Sequence, residues 1–278
     1  MYLMLNGVRY HVEVEGEGPA LLLFHGFTGA ASNWQPFVPL WSTCYQVIRV
    51  DLIGHGQTDA PQDSTRYAME QVAADMAELL DQLKIDQVHL LGYSMGGRLA
   101  LSFSLWYPQR VRSLVLESSS PGLAESEARK QRVASDQKLA DWIESEGVEA
   151  FVSRWESIPL FSSQGSLPEK VRLQIRKQRL QNRAQGLAAS LRGMGTGVQP
   201  PGWEKLRELF IPSLLIVGER DSKFREIAEE MAKLMPLSEI VVMPKAGHTV
   251  HVEQPECFGT IVLDFIKKRD RLKGSPGR

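Results

Sequence analysis

Val88-His89-Leu90-Leu91-Gly92-Tyr93-Ser94-Met95-Gly96-Gly97-Arg98-Leu99-Ala100-Leu101-Ser102-Phe103 joins a short apolar run to a glycine-spaced serine and then to residues that favour a helix. The order is strand, tight turn, helix. A Gly-x-Ser-x-Gly turn in that setting holds its serine in a strained backbone conformation at the top of a sheet, with glycines where a Cβ would clash. The hydroxyl is thereby exposed beside a helix N-terminus, whose unpaired N–H groups favour negative charge. The same five-residue pattern occurs by chance in loops rich in Gly and Ser. The buried strand before it and the helix after it set this copy apart.

Upstream of the turn, strands alternate with helices. Tyr2 to Leu5 and Val8 to Glu15 are short extended segments joined by Asn6-Gly7, a two-residue hairpin signal. Ala20-Leu21-Leu22-Leu23-Phe24 is a continuous apolar run, as expected of a strand covered on both faces. It ends in His25-Gly26-Phe27-Thr28-Gly29, a turn that could bring the Phe27 N–H to a ligand oxygen, although by itself it reads as an ordinary strand-to-helix turn before Trp34 to Leu40. Gln46 to Asp51 is a further buried strand. The glycine-spaced loop after it, Leu52 to Thr58, lacks the Lys-Ser/Thr of a phosphate-cradling loop, and its His55 reads as structural. Tyr67 to Leu83 carries apolar residues at helical spacing. This alternation predicts a mostly parallel sheet with helices on both faces.

Past the serine, Val111 to Leu116 reads as a sixth strand, and then the alternation stops. Residues 123–209 show helical periodicity with breaks near Pro159, Gly165 to Pro168 and Gly193 to Pro201; strands resume at Ser213 to Gly218 and Glu239 to Met243. The expected organisation is a core over residues 1–120, a helical cap over 121–209 inserted after the sixth strand, a second core part over 210–270 and a tail over 271–278. The charged end from Lys267 onward reads as frayed. The cap carries Lys170, Arg172, Arg176, Lys177, Arg179, Arg183 and Arg192 with no acidic residue between Lys170 and Arg192. Each is expected on a solvated face, yet the local excess argues that some of them meet an anionic ligand.

An unaided serine hydroxyl is too weakly acidic to react at neutral pH, so partners are expected downstream in the order acid, then histidine. Asp221 follows the strand at 213–218 and His248 follows the strand at 239–243, both at C-terminal strand ends where open α/β sheets build their sites. Glu219 is a rival acid and His251 a rival base; the Gly-Glu-x-Asp and Gly-His patterns favour Asp221 and His248.

Composition narrows the field. The chain has 278 residues, 43% of them hydrophobic, enough for one large core with an appended unit. With 32 Lys and Arg against 33 Asp and Glu, no overall field points to nucleic acid or to a membrane surface. Cys44 and Cys257 offer neither a disulfide framework nor metal-ligand spacing, so no metal and no cofactor is expected, and a reducing cytoplasm is the expected location. The sequence contains no run approaching the ~20 apolar residues that cross a bilayer. On oligomeric state the residues are silent.

The His-Gly-Phe-Thr-Gly turn, Gly-Tyr-Ser-Met-Gly-Gly-Arg, the late Gly-Glu-Arg-Asp and the Gly-His-Thr-Val-His resemble the α/β-hydrolase fold across almost the whole chain. Arg98 directly after the glycine pair, Glu117 to Leu123, Arg129 to Arg132, Trp155 and Gly218 to Arg225 resemble, more closely, the 2-succinyl-6-hydroxy-2,4-cyclohexadiene-1-carboxylate synthases of bacterial menaquinone biosynthesis. That resemblance implies a lyase that removes pyruvate from 2-succinyl-5-enolpyruvyl-6-hydroxy-3-cyclohexene-1-carboxylate. It implies Ser94 as base, His248 as proton acceptor from it and Asp221 as the group orienting the imidazole. It further implies an oxyanion site at the backbone N–H groups of Phe27 and Met95, carboxylate binding by Arg98, Arg132 and Arg179, and wall or anion contacts from Tyr93, Trp155 and Lys223. The cap register leaves Arg176 and Arg183 as alternatives to Arg179. The implied partner is a small tricarboxylate. Two other functions fit the serine motif: a carboxylesterase or carbon–carbon bond hydrolase acting through an acyl-enzyme, and a non-catalytic receptor for a small anion. The first leaves Arg98 unexplained, and the second usually requires a damaged triad.

Overall fold

The computed structural model describes residues 1–274. Its strands are β1 (Tyr2–Leu5), β2 (Val8–Glu15), β3 (Ala20–Phe24), β4 (Gln46–Val50), β5 (Val88–Tyr93), β6 (Val111–Glu117), β7 (Ser213–Gly218) and β8 (Ser238–Met243). The helices are α1 (Val38–Trp41), α2 (Met69–Gln82), α3 (Met95–Trp106), α4 (Ser126–Trp155), α5 (Glu169–Arg179), α6 (Ala184–Met194), α7 (Ser222–Leu234), α8 (Val250–Glu253) and α9 (Pro255–Gly274). Short 3-10 turns occupy Ala31–Phe37, Pro159–Ser166 and Glu204–Glu208, among others.

The eight strands form one sheet in the order β1-β2-β4-β3-β5-β6-β7-β8. The β1–β2 and β2–β4 pairs are antiparallel and every other pair is parallel. Asn6 and Gly7, at φ 45° and 85°, make the β1–β2 turn with the two left-handed residues that a type I′ hairpin requires.

Side chains alternate across this sheet into two apolar layers. Leu22 and Phe24 of β3, Leu90 of β5 and Leu215 of β7 enter the layer under α2, α3 and α7. Leu21 and Leu23, Leu91 and Leu214 enter the other, which Trp34, Trp41, Phe258 and Ile266 cover. Burial on both faces explains why these strands read as unbroken apolar runs.

All of α4, α5 and α6 lie between β6 and β7, with a small core of their own built on Ala140, Ile143, Phe151, Val152, Leu187 and Leu191. The later stretch from Trp203 to Ile211 packs instead on the layer shared with α7. The helix spanning α4 is bent at Gly147, which stands at φ 81° inside it. The sequence pattern shows no break there, because a lone glycine is tolerated within helical periodicity.

The charged C-terminal segment departs from its frayed expectation. α9 continues through Gly274, and Asp270 accepts hydrogen bonds from Tyr45 at 2.8 Å, His89 at 3.1 Å and Arg112 at 3.2 Å. Residues 275–278 lie outside the described part of the chain.

The crowding that shapes the serine turn is steric and specific. A Cβ on Gly92 would stand 2.3 Å from the Gly96 carbonyl oxygen, and one on Gly96 would stand 2.4 Å from the carbonyl oxygens of both Phe24 and His25. These neighbours are backbone atoms and cannot swing aside. Gly96→Ala is therefore expected to destabilise the protein by about 3 kcal/mol, at the upper end of overpacking costs. Urea denaturation followed by circular dichroism checks this; an unchanged midpoint would show that β3 and α3 can separate freely.

Candidate active site

Ser94 closes β5 and opens α3 with φ 50° and ψ −107°, a conformation that costs about 1–3 kcal/mol for a non-glycine residue. Two backbone hydrogen bonds hold it there, from its own N–H to the Glu117 carbonyl at 2.8 Å and from the Arg98 N–H to its carbonyl at 2.9 Å. The Oγ points at His248, to whose Nε2 it donates at 3.1 Å. On the other side of the ring, Nδ1–H donates to Asp221 Oδ2 at 2.6 Å. Since a carboxylate only accepts, this fixes the tautomer and leaves Nε2 free to take the serine proton.

Asp221 caps α7, accepting the Phe224 N–H at 3.4 Å, and both it and His248 are buried. The Phe224 ring lies 4.6 Å from the His248 ring and the Tyr93 ring 5.5 Å from it. The two rivals are engaged elsewhere. Glu219 is exposed and accepts the Lys245 N–H at 2.9 Å. His251 donates to the buried Glu117 carboxylate at 2.9 Å and packs on Trp34.

The His25-Gly26-Phe27 turn leaves β3 beside this relay. Phe27 and Met95 both line the cavity in front of Ser94, and neither backbone N–H donates to a carbonyl or side chain among the described residues. The turn is held from below. His25 Nδ1–H donates to the Gly26 carbonyl at 2.8 Å while its Nε2 accepts the Leu52 N–H at 2.9 Å. His55 packs against both His25 and Phe27, at ring separations of 5.2 Å and 5.7 Å.

The cavity has a volume of about 660 Å³. It brings together Tyr93, Arg98, Arg132, Trp155 and Lys223 around Ser94 and His248. Arg98 is buried, and among the described residues its one side-chain hydrogen-bond partner, Gln199, is neutral, the Arg98 Nη1–H donating to the amide oxygen at 2.9 Å. Burial, and then repulsion from Arg132, pushes the Arg98 guanidinium down to about 10, so it is cationic at neutral pH but unusually ready for an anion. Arg132 donates through Nε to Asp136 at 2.8 Å. Lys223 is exposed at the rim over the Phe224 ring. The Trp155 indole N–H is buried without an acceptor, and its ring is braced edge-on by Phe27 and Phe161. Burial, together with Glu117, holds the Tyr93 phenol well above its ordinary range, and the hydroxyl lies 3.1 Å from Thr249 Oγ1.

Arg179 is the exception among the expected substrate ligands. It is absent from the main cavity and lies in a small adjoining one of about 40 Å³, with its guanidinium 4.9 Å over the Phe161 ring. Phe161, with Phe27 and Tyr93, belongs to both linings. The neighbouring cations turn away: Arg176 pairs with Glu156, Arg183 reaches the Thr58 carbonyl and Arg192 binds Asp141 and Glu144. Their acidic partners stand outside the 170–192 window, which is why the block looked unbalanced. The sequence does not single out three residues of the site: Asp136 and Phe161, which line the cavity, and Gln199, which holds Arg98 from outside that lining. Asp136 had a signal, its spacing of four from Arg132 on one helix. Gln199 and Phe161 had none, because loops carry them in.

Comparison with known proteins places this geometry. A family model described as the alpha/beta hydrolase fold matches residues 19–255. A protein of Bacillus subtilis, provisionally named a 2-succinyl-6-hydroxy-2,4-cyclohexadiene-1-carboxylate synthase, is 51% identical over 94% of this chain and 96% of its own length. The synthase of that name from Photorhabdus laumondii is 32% identical over 89% of this chain and 85% of its own. Among solved structures, MenH from S. aureus superposes with a TM-score of 0.90 at 36% identity, covering 94% of this chain and 98% of the other.

Burial pushes His25 below its ordinary value, and burial followed by the neighbouring His25 pushes His55 down to about 3. Both are neutral when folded and titrate near 6.5 when unfolded. The unfolded chain therefore binds more protons below 6.5, and stability must fall as pH drops from about 6.5 toward 3. Urea midpoints across that range should decline less steeply for His55→Gln than for the parent, with the carboxylate contribution common to both. Identical slopes would show that His55 is already protonated in the folded state.

Proposed function

The chain belongs to the alpha/beta hydrolase fold family and, within it, to the 2-succinyl-6-hydroxy-2,4-cyclohexadiene-1-carboxylate synthases, and we propose that the residues around Ser94 carry out that elimination as follows. The reaction is loss of pyruvate from 2-succinyl-5-enolpyruvyl-6-hydroxy-3-cyclohexene-1-carboxylate, a step of menaquinone biosynthesis. The ring proton beside the succinyl carbonyl passes to Ser94 Oγ as the serine proton passes to His248 Nε2. Asp221 steadies the imidazolium that results. Negative charge develops on the succinyl oxygen, where the Phe27 and Met95 N–H groups would receive it. The ring double bond then shifts toward the carbon bearing the ether oxygen. The carbon–oxygen bond breaks, enolpyruvate leaves as its anion, and a proton equivalent to the one taken up by His248 is returned to its methylene carbon, giving pyruvate and the neutral imidazole. No covalent enzyme intermediate forms.

One observation carries this reading over an acyl-enzyme hydrolase: Arg98, a buried cation that among the described residues hydrogen-bonds through its side chain to neutral Gln199 and forms no ion pair, Asp136 acting on it only at longer range, lines the same cavity as Ser94. A buried charge left without an opposite partner is costly. A neutral ester would leave it so, whereas a carboxylate on the substrate forks onto it with charge-assisted hydrogen bonds. Arg132 and Lys223 supply further positive charge for a tricarboxylate, and Tyr93 and Trp155 supply the wall. Arg179 contributes positive charge from the adjoining cavity rather than a direct contact. Two free cysteines and the small metabolite substrate support a cytoplasmic enzyme. Among the described residues no helix is long and apolar enough to cross a membrane.

The test is to supply the enolpyruvyl cyclohexene and record pyruvate release beside 4-nitrophenyl acetate hydrolysis. Ser94→Ala should lower kcat by roughly 10²–10⁴-fold, the range of a lost general base. Arg98→Ala should lower kcat/KM by about 30-fold or more, as for truncating one side of a buried charge pair. A burst of nitrophenol with no pyruvate above background would make Ser94 an acylated nucleophile and overturn the reading.

A further inference from the structure

Asp136 sits on α4 one turn beyond Arg132, and its Oδ1 accepts the Arg132 Nε–H at 2.8 Å. The carboxylate is only 5% exposed, and Oδ2 has no hydrogen-bond partner. Gly195, just beyond α6, packs against it: a Cβ there would stand 2.3 Å from the Leu191 carbonyl oxygen and 2.6 Å from Oδ2. Gly195 has an ordinary backbone, with φ −60°, so close packing against the Leu191 carbonyl and the Asp136 carboxylate accounts for the glycine better than conformational freedom does. Asp136, Gly195, Arg98 and Arg132 all line the cavity in front of Ser94. A buried carboxylate with one oxygen unpaired is a cost to folding, and it also opposes an anionic ligand. Its use must then lie in what it does to a neighbour.

That neighbour is Arg132, whose side chain is 41% exposed and would be free to wander if unheld. A guanidinium offers five N–H donors in a rigid planar fork. Binding Asp136 through Nε fixes the plane and leaves both terminal nitrogens unengaged, since the pairing with Asp136 is the one hydrogen bond of this side chain among the described residues. Those two nitrogens form the end-on edge that matches a carboxylate with paired hydrogen bonds. We propose that Asp136 is a positioning residue that aims the terminal fork of Arg132 at one carboxylate of the substrate. This deepens the lyase reading and rests on it.

The experiment is steady-state pyruvate release for the parent, Asp136→Ala, Asp136→Asn, Arg132→Ala and the Arg132→Ala/Asp136→Ala double variant. Asp136→Ala should raise KM about tenfold, with the smaller part of the loss in kcat, because the bound carboxylate is remote from the proton transfer. Asp136→Asn keeps an acceptor oxygen in the same volume and should restore most of that KM. Adding Asp136→Ala to Arg132→Ala should bring no further loss, since the residue acts through an arginine no longer present. Additive losses in the double variant, an asparagine variant as poor as the alanine one, or a loss confined to kcat would each overturn the assignment. Absence of pyruvate from the parent protein would instead remove the lyase reading itself, so the two failures are distinguishable.

Discussion

The close approach of three backbones at one point, β3, β5 and the first turn of α3, is the constraint on which the rest depends. Gly92 and Gly96 permit it, and Ser94 takes up the resulting strain at φ 50°. The strain persists because the surrounding structure over-determines it: β5 is paired on both sides, with Phe24 opposite Gly92 and Glu117 opposite Tyr93. Each remaining group of the relay is then placed by the same sheet. Phe27 follows β3, Asp221 follows β7 and His248 follows β8, whose last residue Met243 lies opposite Gly218. Strand spacing of about 4.8 Å acts as the ruler that brings four separate loops to one edge.

This dependence on short, strand-terminal segments explains what could be read from sequence. Ser94, Asp221 and His248 each sit in a local pattern, an apolar run followed by a turn, and the pattern contains most of the information that positions them. The sheet was legible for the same reason. The cap was not. Its helices were visible in periodicity, but the direction in which Arg176, Arg183 and Arg192 point depends on acids and carbonyls brought up by tertiary packing. Arg179 shows the limit most sharply: its charge and its helix are plain in the sequence, while the Phe161 ring beneath it comes from a 3-10 turn eighteen positions away. Asp270 is similar at the other end of the chain. Its helix looked like a frayed charged tail because Tyr45, His89 and Arg112, the side chains that hold it, lie more than 150 residues away in sequence.

The relay of Ser94, His248 and Asp221 does not by itself select between hydrolysis and elimination. Both begin with the serine proton moving toward Nε2, and both develop charge on an oxygen near two backbone N–H groups. What differs is whether the hydroxyl meets a carbonyl carbon or a carbon-bound proton, and that is decided by how the substrate is held. On the proposed reading, the cavity charges act on the choice of reaction as well as on affinity.

Arg98 makes the point in energetic terms. Folding has already stripped this guanidinium of water and given it Gln199 in exchange, with Arg132 repelling it and Asp136 offsetting that repulsion only in part. A carboxylate that arrives need not displace a full hydration shell from Arg98, and it removes an unfavourable interaction as well as adding a favourable one. The same carboxylate would be held by a rigid fork one helical turn beyond Ser94, so its binding also fixes the ring relative to Oγ. An ester lacking that group would reach the same serine in many orientations, few of them reactive. On this argument the buried cation converts a general-purpose serine relay into a site for one anionic substrate.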